Sequence, residues 1–170
     1  TLLASSAASD VYKRQVYKEG IIIEISLETI QQTDELVHQL YQTTRAMSKS
    51  VNRALYSTNI YGSEWTILKT IHDQGTMTQT ALANYLNIEP ATISKTIRQL
   101  MKKNLIMRQS GEDKREKYIY LTPLAIEQYN EWFEVIAQNC RRVLEAVNVE
   151  EQKILMGLLS KIKNKINDDI

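Results

Sequence analysis

Apolar residues recur at helical spacing over most of the chain. From Ser26 to about Tyr56 the positions Ile30, Val37, Leu40, Tyr41, Met47, Val51, Ala54 and Leu55 predict one long amphipathic helix. Ser63 is a suitable N-cap for a second helix, with Glu64 in its first turn and Trp65, Ile67, Leu68 and Ile71 as its apolar face. Gly75 suits the left-handed residue beyond its end. Thr76-Met77-Thr78 is too short for more than an isolated bridge. Thr78 caps a short helix over Gln79 to Leu86, with Leu82 and Leu86 inward, and Asn87-Ile88-Glu89 forms a tight turn. Pro90 opens the next helix, where its missing N–H costs nothing, and this helix runs to Lys103 with Asn104 as a left-handed cap. Two β-type runs follow, Leu105 to Gln109 and Tyr118 to Leu121, around a polar hairpin tip from Ser110 to Lys117. Thr122-Pro123 starts a long helix reaching about Ala146, and a last helix covers about Val149 to Asn167 with Ile154, Leu155, Leu158, Leu159, Ile162 and Ile166 as its stripe.

Residues Thr78 to Thr122 thus read helix, tight turn, helix, strand, charged hairpin, strand, a helix-turn-helix followed by a wing. The second helix of the pair divides by face. Ile93, Ile97 and Leu100 form a buried stripe, and Ala91, Lys95, Arg98 and Lys102 fall opposite, flanked by Thr92 and Gln99. A basic, hydroxyl- and amide-bearing face with small residues at its N-terminal end can enter a major groove about 12 Å wide. Such a face also serves as plain solvated surface, and helix-turn-helix units also act as protein–protein interaction modules. The pattern alone leaves both readings open.

Composition narrows the field. The 170 residues are 43% apolar and 24% charged, with Gly 5 and Pro 2, which excludes collagen-like and linker-rich chains. Cys140 is the single cysteine, so an intramolecular disulfide and a Cys-based zinc site are excluded. The longest apolar run, Ile21-Ile22-Ile23, falls far short of the roughly 20 residues of a membrane span, and no membrane partner is expected. HExxH, a phosphate-binding glycine loop and GxSxG are all missing, so no enzyme and no cofactor is expected. A net charge of +1 conceals its distribution: residues 78–122 carry eight basic and four acidic residues, a balance of +4, between segments 16–77 and 123–170 of −2 each. Localised positive charge is the footprint expected of phosphate contact.

The start of the chain stands apart. Ser5 to Gln15, SSAASDVYKRQ, resembles the in-frame translation of a transposon-end adapter from shotgun libraries. Residues 1–15 are therefore set aside as non-native, and the chain proper is expected to begin between Val16 and Leu27.

ALANYLNIEPATISKTIRQLMKKNLI, followed by EDKREKYIYLT, resembles the MarR family of winged-helix transcription regulators. The most specific part is Asp113-x-Arg115 followed by Ile119-x-Leu121-Thr122, the wing signature. The resemblance implies a mainly α fold, a winged helix-turn-helix with a small β-hairpin wing and long terminal dimerisation helices. It divides the chain into an N-terminal arm (16–60), a DNA-binding lobe (61–122) and C-terminal dimerisation helices (123–170). It implies Arg115 in a minor groove with Asp113 orienting it, Ala91, Thr92, Lys95 and Arg98 at base edges, and Ser94, Gln99, Thr78 and Gln79 at phosphates. It further implies a cytoplasmic homodimeric repressor on pseudo-palindromic double-stranded DNA, its half-sites about 10 bp apart. Affinity would be lowered by a phenolic or lipophilic anion near Tyr41, Arg45, Trp65 and Tyr129, although each of these has an ordinary core or surface role as the simpler reading. Two departures stand out. Glu89 replaces a shorter cap, and Lys95 stands where arginine is frequent, which removes bidentate guanine recognition. Cys140, beside Arg141-Arg142, is read as a packed, inert thiol, and His38 and His72 are too far apart for zinc.

Overall fold

The computed structural model describes residues 15–18, 21–24, 27–111 and 116–168. It divides into two units after Met47. The first contains a hairpin, β1 (Gln15–Lys18) against β2 (Ile21–Glu24), antiparallel with Val16 opposite Ile23. The hairpin was not expected, because the apolar triplet Ile21–Ile23 is too short for a period to show. The long helix α1 (Leu27–Ala54) starts in this unit and exposes Ile30, Leu36, Val37, Tyr41 and Met47.

The second unit takes in the end of α1, a 3-10 turn (Leu55–Thr58), α2 (Gly62–Gln74), β3 (Met77–Thr78), α3 (Gln79–Leu86), α4 (Pro90–Lys102), β4 (Ile106–Ser110), β5 (Lys117–Leu121), α5 (Pro123–Leu144) and α6 (Val149–Asp168). Its core joins Leu55, Ile67, Leu68 and Ile71 to Leu82, Ile93, Ile97, Leu100, Ile119 and Trp132. The stripes expected on α2 and α4 are the ones buried. Left-handed Asn87 (φ 51°) and Asn104 (φ 58°) end α3 and α4, and Gly75 (φ 81°) follows α2.

Three local expectations change. α2 begins two residues early: Tyr61 is its N-cap, and the Glu64 carboxylate accepts the Tyr61 N–H at 2.9 Å. Tertiary contact overrides the cap at Ser63, because Asn52 Oδ1 accepts the Gly62 N–H at 2.8 Å. A Cβ on Gly62 would stand 3.2 Å from Val51 Cγ1, a tight contact that the valine side chain would have to relieve by a shift of a few tenths of an ångström. β3 is a true edge strand: Met77 pairs with Ile119 and Thr78 with Tyr118, giving a three-stranded antiparallel sheet in the order β3-β5-β4. α5 ends at Leu144.

Thr122 Oγ1 accepts the Ala125 N–H at 3.1 Å and donates to the Asn104 carbonyl at 2.8 Å, fixing α5 to the end of α4. Asn139, buried in α5, accepts from Ser50 (2.8 Å) and Arg142 (2.9 Å), which ties α5 to the end of α1. α6 behaves differently: none of its residues is buried, and Ile154, Leu155, Leu158, Leu159, Ile162 and Ile166 are all exposed. Among the described residues no helix is long and apolar enough to cross a membrane.

Candidate nucleic-acid interface

α3, the Asn87 turn and α4 form the helix pair. The Thr78 hydroxyl caps α3 through the Ala81 N–H (3.1 Å). The turn closes through Ile88 N–H to the Ala83 carbonyl at 3.0 Å, and Pro90 then opens α4. Glu89 makes no side-chain cap, and its carbonyl accepts from Thr92 and Ile93. With Ile93, Ile97 and Leu100 inside, Ala91, Thr92, Lys95, Arg98 and Gln99 are exposed on the other face and Ser94 is half-buried. Two cations, a hydroxyl and an amide therefore share a solvent face, the donor set that phosphates and base edges accept from.

A second surface lies where the start of α3 meets the wing strands. A concavity of about 600 Å³ is lined by Thr78, Gln79, Thr80, Arg108, Glu116 and Lys117 among others. Arg108 donates to Gln79 Oε1 at 3.0 Å, bracing the wing against α3. The α3 N-terminus supplies the positive end of a helix dipole beside these two cations. Thr78 and Gln79 are thus brought together with Arg108 and Lys117, which sequence reasoning counted as charge and did not assign to a site. The strand register, Ser110 opposite Lys117 and Arg108 opposite Ile119, was the missing information. Asp113 and Arg115 lie outside the described residues.

Lys103 leaves the basic surface. Its Nζ donates to the fully buried Glu64 carboxylate at 2.6 Å and to the Asn59 carbonyl at 2.7 Å, and it sits 5.0 Å from the Tyr61 ring centroid. Glu64 Oε1 has no hydrogen-bond partner among the described residues. The pair joins the end of α4 to the start of α2.

Of the residues singled out for an effector, Trp65 and Tyr129 meet. Their rings stack at 5.2 Å, and His72 lies flat on Tyr129 at 3.7 Å. Both are buried in the core, and burial raises the Tyr129 hydroxyl above its ordinary pKa. Beside them the Lys69 ammonium holds Asp73 below the usual carboxylate range, with His72 Nδ1 at 2.9 Å adding to the effect. Tyr41 and Arg45 are exposed on the first unit's stretch of α1. Cys140 is half-buried in α5, and among the described residues no cluster of His, Cys, Asp and Glu could hold a metal.

A sheet-braced helix-turn-helix with a hairpin wing defines a class of DNA-binding proteins. The family model for the MarR family matches residues 60–117. The uncharacterized HTH-type transcriptional regulator YwoH of Bacillus subtilis is 38% identical over 96 residues, which span 56% of this chain and 70% of that protein. The chain belongs to the MarR family and is a DNA-binding transcriptional regulator of the winged helix-turn-helix type. Members of this family are non-enzymatic. The fold is also similar to that of a mutant MarR from E. coli complexed with operator DNA (TM-score 0.73, 17% identity, 81% of this chain and 99% of that one). It resembles the organohalide-sensing RdhR transcriptional regulator in its ligand-free form as well (TM-score 0.74, 22% identity, 83% and 84%).

Proposed function

We propose that this regulator is a homodimeric repressor that lays α4 into successive major grooves of a pseudo-palindromic operator. The observation that carries the reading is the division of α4, with Ala91, Thr92, Lys95, Arg98 and Gln99 exposed opposite a fully buried stripe. In this reading Ala91, Thr92, Lys95 and Arg98 face base edges. Ser94, Gln99, Thr78 and Gln79 contact phosphates, joined by Arg108 and Lys117, and the wing adds Asp113 and Arg115 at the minor groove. The exposed apolar stripes of α1 and α6 support dimerisation, since contiguous apolar surface of this kind marks an interface.

Binding should be tested with a duplex from the DNA immediately upstream of the gene and a scrambled duplex of the same composition. Affinity should fall steeply with salt and favour the native duplex. Equal, salt-insensitive binding to both would end the reading. Light scattering should give twice the chain mass, and Ile162→Asp should halve it.

The proposed effector is a phenolic or lipophilic anion that reaches the Trp65–Tyr129 stack and lowers operator affinity. Organohalide sensing by a structural neighbour and the aromatic stack support it. Salicylate in a thermal-shift titration should raise the melting temperature and weaken the DNA complex. No shift at millimolar concentration removes this class of ligand.

A further inference from the structure

We propose that Glu116 is a built-in brake on backbone contact, an acidic residue placed in the phosphate groove that lowers affinity for DNA of any sequence. The inference rests on the reading that the concavity between α3 and the wing receives the DNA backbone. Everything else argued for that surface attracts phosphate: the α3 N-terminus, the Thr78 and Thr80 hydroxyls, Arg108 and Lys117. Glu116 lines the same concavity and immediately precedes Lys117 in the chain.

Its position is built. The Glu116 carbonyl accepts the Gly111 N–H at 3.0 Å, closing the wing just beyond β4, and its carboxylate accepts the Tyr118 hydroxyl at 2.9 Å. The side chain is exposed, and neither Arg108 nor Lys117 forms an ion pair with it. Arg108 is turned instead to Gln79 Oε1. Neither cation of the concavity is paired with this carboxylate, so a phosphate arriving there meets it as a like charge. Like charges a few ångströms apart at a hydrated surface repel by an amount that shifts an equilibrium about fivefold. The repulsion acts on the phosphate backbone, which is the same in every sequence, so it sets overall affinity and leaves base preference alone.

Three proteins test this by fluorescence anisotropy on the upstream and scrambled duplexes from 50 to 250 mM salt: wild type, Glu116→Gln, and Glu131→Gln. The glutamine at 116 still accepts the Tyr118 hydroxyl. The third variant removes one negative charge from the exposed face of α5, outside the groove. Glu116→Gln should bind both duplexes about fivefold more tightly at 100 mM salt, with a steeper dependence on salt concentration, while Glu131→Gln matches wild type. Wild-type affinity in Glu116→Gln, or an equal gain in Glu131→Gln, overturns the brake and leaves the regulator reading intact. Wild type that binds neither duplex in a salt-dependent way defeats the groove reading, and the brake with it.

Discussion

α4 and α6 both carry an apolar stripe, the more sharply divided one on α4, and the two stripes meet opposite fates. In α4 the stripe is finished inside the chain: Ile93, Ile97 and Leu100 are essentially inaccessible, packed against α2, α3 and β4. In α6 a stripe of six aliphatic residues stays in water, Leu159 being 43% exposed. An amphipathic pattern thus states that a face will be buried and does not name its partner. Burial of α4 also orients its polar face, because a helix with one face fixed has no freedom to choose the other. Among the described residues no burial orients the apolar face of α6 in that way, and in the proposed dimer a second copy does.

The sharpest break in this contrast comes at the end of α4. Lys103→Met leaves the Glu64 carboxylate buried without its cation and should destabilise the lobe by about 3–5 kcal/mol in urea denaturation. A loss under 1 kcal/mol would mean that Glu64 is hydrated. Leu100→Ala should cost about 2–5 kcal/mol by the same measurement, at any protein concentration. Leu159→Ala is the matching truncation on α6. At nanomolar protein it should change stability by no more than about 0.5 kcal/mol. At high concentration the loss should grow, because only an assembled stripe loses buried surface. Concentration-independent loss would place the partner of α6 within one chain.

The smallest effect concerns Asp73. Its carboxyl is held low by Lys69 and then His72, so the folded state favours the ionised form. That stability is present above the unfolded carboxylate pKa and is lost as pH falls through the folded one. Melting temperature should therefore drop less between about pH 5 and pH 3 in Asp73→Asn than in wild type. The side chain is 38% exposed, so solvent screening keeps the difference small.

Legibility in the sequence follows the range of the interaction. The faces of α4, the caps at Thr78 and Thr122, and the left-handed turn at Asn104 are written within four residues of one another, and all could be read. The Lys103–Glu64 pair joins residues 39 apart, and Arg108 meets Gln79 across 29. No local pattern distinguishes such lysines and arginines from solvated ones. The start of α2 shows the same limit: Ser63 has the better intrinsic cap, and Asn52, ten residues away, decides otherwise. β3 needed the register of β5 before two residues could count as a strand.

The bend between α5 and α6 has a consequence for measurement along DNA. Asn148 Oδ1 accepts the Glu151 N–H at 3.0 Å while Glu151 Oε2 accepts the Asn148 N–H at 2.8 Å, and the Gln152 amide holds the Val147 carbonyl at 2.7 Å. These bonds fix the direction in which α6 leaves the lobe. In a twofold assembly built through α6, they act as a protractor. In the proposed homodimer the angle held there would set the separation of the two reading heads, so that a few degrees at Val147–Gln152 would be magnified by the length of the lobe into base-pair steps along the duplex.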